Sequence, residues 1–192
     1  MRRFFSFSGF RQFDWILMST ALVLTLTGLA AIYSIDLSRG ATLLDTPTQA
    51  AAAVIGIAVM IVAGFIHVTV YQSFARFAYI VALLLLTLVL FFGNTIRGTR
   101  GWFNILGVSF QPAEFAKIAL LLFLAYLIYR HGRRHDRPGF IIAGTLATGL
   151  LAGLILLQPD LGSAAVLGAI WVGLLLMTRT KRLHLAIFFG AF

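Results

Sequence analysis

The chain has no cysteine, so disulfides and thiolate metal sites are excluded. Charge is also scarce, at 11% of 192 residues, where a soluble domain carries about a quarter. Glycine-rich phosphate loops, a serine nucleophile elbow and an HExxH pair are absent. His131 and His135 are four apart, but they sit in a short basic loop with Gly132 and Pro138. That segment is a poor helix, and a metal site there is discounted. What the chain does have is apolar residues, 60% of the total, with a mean hydropathy of +0.98. They come in long runs, and the reading is a polytopic, all-α transmembrane helix bundle. The formal charge of +9 does not point to nucleic acid. The basic residues cluster between apolar runs, as orientation in a bilayer and contact with anionic headgroups require.

Residues Met1 to Phe13 carry Arg2, Arg3 and Arg11 among phenylalanines and read as a retained interfacial anchor. A cleaved signal would show a short apolar core and a small-residue cleavage site instead. Spans are expected at about 15–35, 50–70, 77–92, 113–129, 140–157 and 163–177, with the start of a seventh at 183. Tyr71–Arg76 is expected as a turn and Gly93–Pro112 as a loop. Ala52/Gly56 and Gly149/Gly153 are small-residue pairs suited to close helix packing. A helix needs about 20 residues to cross about 30 Å of hydrocarbon. The apolar run from Leu183 to Phe192 is too short for that, and its last carbonyls would lack partners in lipid. The expectation is therefore a single incomplete membrane domain, the N-terminal part of a longer protein.

Lys and Arg counts set orientation. With a cytoplasmic N-terminus, the inner segments hold Arg2, Arg3, Arg11, Arg76, Arg130, Arg133, Arg134, Arg137, Arg179, Lys181 and Arg182. The outer loops hold only Arg39, Arg97 and Arg100. Gly98–Lys117 and Gln158–Gly162 then both face outward and can converge.

These two stretches carry the candidate chemistry. In Gln111-Pro112-Ala113-Glu114, proline suits the first helical turn, and Glu114 falls where the helix dipole favours an anion. Lys117 is three residues on, within reach of Glu114. A charge at the bilayer centre costs roughly 2.5–3.5 kcal/mol on insertion scales, so this acid–base pair at the mouth of an apolar helix needs a reason. One reading is a cap with an ordering ion pair; the other is the wall of an outward polar cavity. Arg97, Arg100 and Trp102 are either interfacial residues or anion-binding groups, since arginine suits bidentate phosphate recognition. Gly93, Gly98 and Gly101 give that loop freedom. Gln158-Pro-Asp-Leu-Gly162 is either a tight turn or a turn that adds the Asp160 carboxylate to the cavity.

Gly98-Thr-Arg-Gly-Trp-Phe, Phe110-Gln-Pro-Ala-Glu-Phe-Ala-Lys117 and Gln158-Pro-Asp-Leu-Gly162 together resemble the SEDS family (shape, elongation, division and sporulation). Asp14-Trp15 and Tyr33-Ser34 at the two ends of the first span also fit. The resemblance covers essentially the whole chain and implies the first half of a ten-span protein. It implies a peptidoglycan glycosyltransferase that polymerises lipid II at the outer face of the bacterial cytoplasmic membrane, with a class B penicillin-binding protein as partner. The family's catalytic Asp lies in a large outer loop after the seventh span, so no catalytic residue is expected within residues 1–192 and the fragment is expected to be inactive alone. Substrate-binding residues carried over are Arg100, Trp102, Gln111, Glu114, Lys117 and Asp160, to bind the pyrophosphate leaving group or orient the acceptor hydroxyl. No cofactor is evident; a divalent cation is left open. One departure concerns arginine. Family members commonly have Arg directly before Trp, where this chain has Gly101 and places Arg100 one residue earlier. Ala113 replaces a frequent serine. Within the family a RodA-type role in cell elongation is expected from the first loop and second span. A flippase or transporter of lipid-linked precursors, and a membrane scaffold for a transpeptidase, are the rival readings.

Overall fold

The computed structural model describes residues 14–40, 45–96, 98–105, 108–131 and 138–178. The interfacial anchor expected before Asp14, Arg97, most of the basic loop with His135, and the helix start at 183 lie outside the described residues. The described residues form six helices and a three-stranded sheet: α1 (Trp15–Ser38), α2 (Asp45–Phe65), α3 (Val68–Phe92), β1 (Asn94–Ile96), β2 (Thr99–Ile105), β3 (Val108–Phe110), α4 (Pro112–His131), α5 (Pro138–Leu156) and α6 (Leu161–Met177). Five of the helices are long and apolar enough to cross a membrane, and α6 is a shorter apolar helix. The chain divides into two compact units between Val70 and Tyr71.

In the first unit, Asp14 caps α1 by accepting from the amides of Ile16 (3.1 Å) and Leu17 (2.9 Å), which satisfies donors that a helix start leaves open. At the other end Asp36 is buried. Its carboxylate accepts from the Thr46 amide (2.8 Å), the Thr46 hydroxyl (2.6 Å) and the Asp45 amide (3.2 Å). One acid on α1 thus caps the start of α2. Arg39 and Asp45 add an exposed ion pair at 3.4 Å, worth little in water. The Ala52/Gly56 pair lines a groove of about 300 Å³ between α1 and α2.

The boundary between the second and third spans differs from expectation. The break falls at Ile66–His67, and Tyr71–Arg76 is helical. His67 Nδ1 lies 3.0 Å from the Thr69 hydroxyl and accepts from the Thr69 amide at 3.4 Å, so it caps α3. The polar residues of 71–76 look like a turn in sequence, but no glycine or proline stops the helix there. Arg76 lies 5.5 Å over the Tyr126 ring, a cation–π contact within the second unit.

The core of the second unit is a stripe from each of four helices: Ala78, Ala82 and Leu86 on α3; Ala116, Leu120 and Leu124 on α4; Phe140, Ala147 and Leu151 on α5; Ala164, Leu167 and Trp171 on α6. These positions recur at helical spacing, and the alanines let backbones approach where lipid gives no hydrophobic drive between helices. Gly144 is required, because a Cβ there would collide with the Trp171 ring. Trp171 Nε1 donates to the Thr145 hydroxyl at 3.1 Å, and Tyr79 donates to the Ala147 carbonyl at 2.8 Å. Large side chains such as Phe77, Ile118 and Leu150 face outward, as lipid-facing positions do.

The Gly93–Pro112 segment, expected as a loop, is an antiparallel meander in the order β1-β2-β3. Gly93 closes α3, with its amide on the Val89 carbonyl at 2.8 Å. Gly98 takes φ 86° in the β1–β2 turn, a conformation that favours glycine.

Candidate functional site

The meander, the start of α4 and the start of α6 meet at one end of the second unit. Pro112 opens α4, and Gln111 stands just before it. Gln111 Nε2 donates to Asp160 Oδ2 at 3.3 Å. The other oxygen of Asp160 caps α6 by accepting from the Ser163 amide at 2.9 Å. Two helix N-termini are thereby brought side by side. Each carries a partial positive charge, and the Asp160 carboxylate is the anion that lies between them. One turn into α4, Lys117 Nζ lies 2.6 Å from Glu114 Oε1. Lys117 is 22% exposed and Glu114 62%, so the acid reaches solvent while the base lies against the bundle.

The geometry therefore joins Gln111 to Asp160 and Glu114 to Lys117, as two pairs on adjoining helix starts. Arg100 is placed differently. Its Nη2 donates to the Phe91 carbonyl (2.9 Å) and its Nε to the Gly93 carbonyl (3.2 Å). It thus satisfies acceptors that the end of α3 leaves open. Trp102 is half-buried on β2.

The departure at Gly101 has a structural counterpart. Thr95 pairs with Arg100, whereas its neighbour Asn94 pairs with Trp102. Gly101 is the extra residue of a β-bulge. Arg100 and Trp102 consequently occupy consecutive rungs of the ladder, as an arginine directly before tryptophan would in a regular strand. Gly101 is buried, and a Cβ there would lie 2.8 Å from Gln158 Oε1. Gln158 itself is 0% exposed, and neither of its amide atoms has a hydrogen-bond partner. Sequence reasoning places Gln158 in the outward turn but not among the site residues. The one signal was a polar amide ending an otherwise apolar run.

Among the described residues, no three His, Cys, Asp or Glu side chains group as a metal site. The two acids present are already engaged, Glu114 by Lys117 and Asp160 by Gln111 and the Ser163 amide.

A helical bundle with apolar spans and a polar end under a small β-meander defines a multi-pass membrane protein. Residues 14–192 match the FtsW, RodA and SpoVE family, described as cell cycle proteins, and the chain belongs to that family. It is similar to the probable peptidoglycan glycosyltransferase FtsW of Hydrogenovibrio crunogenus, 33% identical over 85% of this chain and 43% of that one. The crystal structure of the rod shape determining protein RodA of Thermus thermophilus matches with a TM-score of 0.72 and 31% identity, over 93% of this chain and 58% of that one. A structure of a peptidoglycan synthase complex that coordinates polymerization and crosslinking matches with a TM-score of 0.69 and 31% identity, over 93% of this chain and 52% of that one. The chain spans about half the length of the curated relatives it matches over most of its own length.

Proposed function

We propose that this chain supplies part of the substrate site of a peptidoglycan glycosyltransferase that polymerises lipid II at the outer face of the bacterial cytoplasmic membrane. The observation that carries the reading is the junction of α4 and α6 through Gln111 and Asp160, with Lys117 one turn inside. Glycosyl transfer from a lipid pyrophosphate breaks the bond between the sugar carbon and the phosphate oxygen as an acceptor hydroxyl attacks. Negative charge grows on the leaving pyrophosphate. The Lys117 ammonium, on the first turns of α4, is a group that stabilises such charge. Glu114 holds the Lys117 ammonium in place. Asp160 holds the two helix starts in register. The acceptor proton passes to the carboxylate that the family resemblance places after the seventh span.

Support for the outer face comes from the distribution of Lys and Arg, which favours a cytoplasmic N-terminus. Because the native chain has no cysteine, single introduced cysteines at Ser109 and Tyr129 can report sidedness. Ser109 should react with an impermeant maleimide from outside and Tyr129 should not. A class B penicillin-binding protein is the partner this reading implies, in line with the peptidoglycan synthase complex among the structural matches. FtsW and RodA proteins both occur among the matches. Repair of a division or of an elongation defect separates the two roles.

A flippase is the alternative. It should expose charged groups alternately to both faces, whereas Glu114, Lys117 and Asp160 lie at one end. The test is polymerisation of fluorescent lipid II by the full-length protein with its partner. Polymer is the expected product, and translocation of lipid II in proteoliposomes without polymer would reverse the assignment.

A further inference from the structure

At the end of the second unit away from the meander, two arginines meet on one tyrosine. Arg76, in the third turn of α3, lies 5.5 Å over the Tyr126 ring. Arg130, in the last turn of α4, donates from Nη1 to the Tyr126 hydroxyl at 3.5 Å. Two cations from different helices are thus held against one side chain. Among the described residues neither forms an ion pair. Glu114 and Asp160, the acids described in this unit, lie at its other end, beside the meander. Like charges brought together repel, and the ring offers Arg76 no hydrogen-bond acceptor. Both arginines are exposed, so their N–H groups stay open to an acceptor from outside the bundle.

The neighbouring surface is apolar. Phe74 and Phe77, which flank Arg76 in sequence, are exposed, and their ring centroids are 5.2 Å apart. Tyr129, next to Arg130, is exposed as well. From Phe77 an exposed stripe runs along α3 through Ile80, Leu84 and Leu88, at the spacing of one helix face. Aromatic rings collect at the level of lipid headgroups. The arginines therefore stand at headgroup level, and the stripe continues from them at the depth of acyl chains.

We propose that Arg76, Tyr126 and Arg130 form a site for the phosphate of an anionic phospholipid, in the leaflet opposite the Gln111–Asp160 junction. The guanidinium fork matches phosphate oxygens and can hold two of them at once. Tyr126 orders both arginines before the lipid arrives. The headgroup then bridges α3 and α4, and the chains cover the apolar stripe. A free phosphate gains only the first of these contacts. In the orientation of the proposed function this leaflet is the cytoplasmic one, whose anionic lipids attract basic groups. The site goes beyond that function, and lipid binding is read without polymerisation, so either can fail alone.

The test uses the full-length protein in neutral detergent, with dioleoylphosphatidylglycerol, dioleoylphosphatidylcholine and inorganic phosphate as probes. Thermal unfolding and native mass spectrometry are the readouts. Phosphatidylglycerol should raise the wild-type midpoint by several degrees, because it binds the folded state. Phosphatidylcholine and phosphate should move it by less than one degree. Arg76→Gln and Arg130→Gln should each weaken the first bound phosphatidylglycerol about tenfold. Tyr126→Leu keeps both charges but removes what orders them, and should weaken it about fivefold. Arg179→Gln, a basic residue that the Lys and Arg count places on the same side, should change it less than twofold. Asp136→Asn, on the α4–α5 connection, should leave it unchanged. Equal losses in all three arginine variants with none in Tyr126→Leu would overturn the proposal, since general surface charge would then explain the binding. So would a wild type unmoved by phosphatidylglycerol, equal protection by inorganic phosphate, or a large gain in Asp136→Asn, which would make that aspartate the partner of the arginines.

Discussion

Gln111 and Asp160 are 49 residues apart in sequence, and a 3.3 Å hydrogen bond joins them. The bond ties the start of α4 to the start of α6 and leaves both helix N-termini at one place. The two oxygens of Asp160 act separately. Oδ2 accepts from Gln111, and Oδ1 caps α6.

Substitution can distinguish the cap from the junction. Asparagine is as good a cap as aspartate, whereas alanine costs about 0.5–2 kcal/mol at such a position. Asp160→Asn should unfold in detergent within a degree or two of wild type, and Asp160→Ala measurably earlier. Both should lose tenfold or more in lipid II polymerisation, because the carboxylate that orders the junction is gone. Full activity in Asp160→Asn would show that the charge plays no part.

Lys117 should matter far more to activity than to stability. An i,i+3 ion pair on a helix contributes only about 0.2–0.5 kcal/mol, and Glu114 is 62% exposed. Lys117→Met should therefore leave thermal unfolding nearly unchanged. Polymerisation should fall at least tenfold, since the cation facing the leaving group is lost. Glu114→Gln should have the smaller effect, visible as a raised KM.

Arg100 predicts the opposite balance. It donates to the carbonyls of Phe91 and Gly93, and charge-assisted bonds of this kind contribute about 1.5–3 kcal/mol when shielded and less at an exposed site such as this. Arg100→Ala should raise hydrogen exchange across residues 94–105 while α4 stays protected. Lysine, a point charge with no planar fork, should restore only part of that protection.

Gly144→Ala should destabilise the bundle by about 1–3 kcal/mol, the usual cost of overpacking, because its Cβ meets the Trp171 ring. Thermal unfolding checks this. Pairing it with Trp171→Phe, which gives the new methyl room, should return part of the loss.

The spans were legible because length and apolar runs define them, and four of the six helices extend within three residues of where the sequence puts them, while α2 lies five residues earlier at both ends and α3 begins nine residues earlier. The second-to-third boundary was not. Tyr71, Gln72, Ser73 and Arg76 look like a turn, but polarity does not end a helix without a breaker, and His67 supplies the true cap. The meander was not legible either. Its strands are short, broken by glycine and held by partners set by register, which leaves little periodic signal. Glu114–Lys117 could be read from spacing alone. Gln111–Asp160 needed the crossing parity to suggest that it could form. The burial of Gln158 and the cap made by Arg100 depend on how the meander folds back, which no local pattern encodes.

On the proposed function, the α4–α6 junction holds lipid II for polymerisation. The most direct measurement is polymer synthesis from fluorescent lipid II by the full-length protein with its penicillin-binding partner, alongside Lys117→Met and Asp160→Asn proteins shown to be folded. Glycan strands from the wild type and at least a tenfold loss in both variants are predicted. No polymer from folded wild type, or wild-type synthesis by both variants, would contradict it.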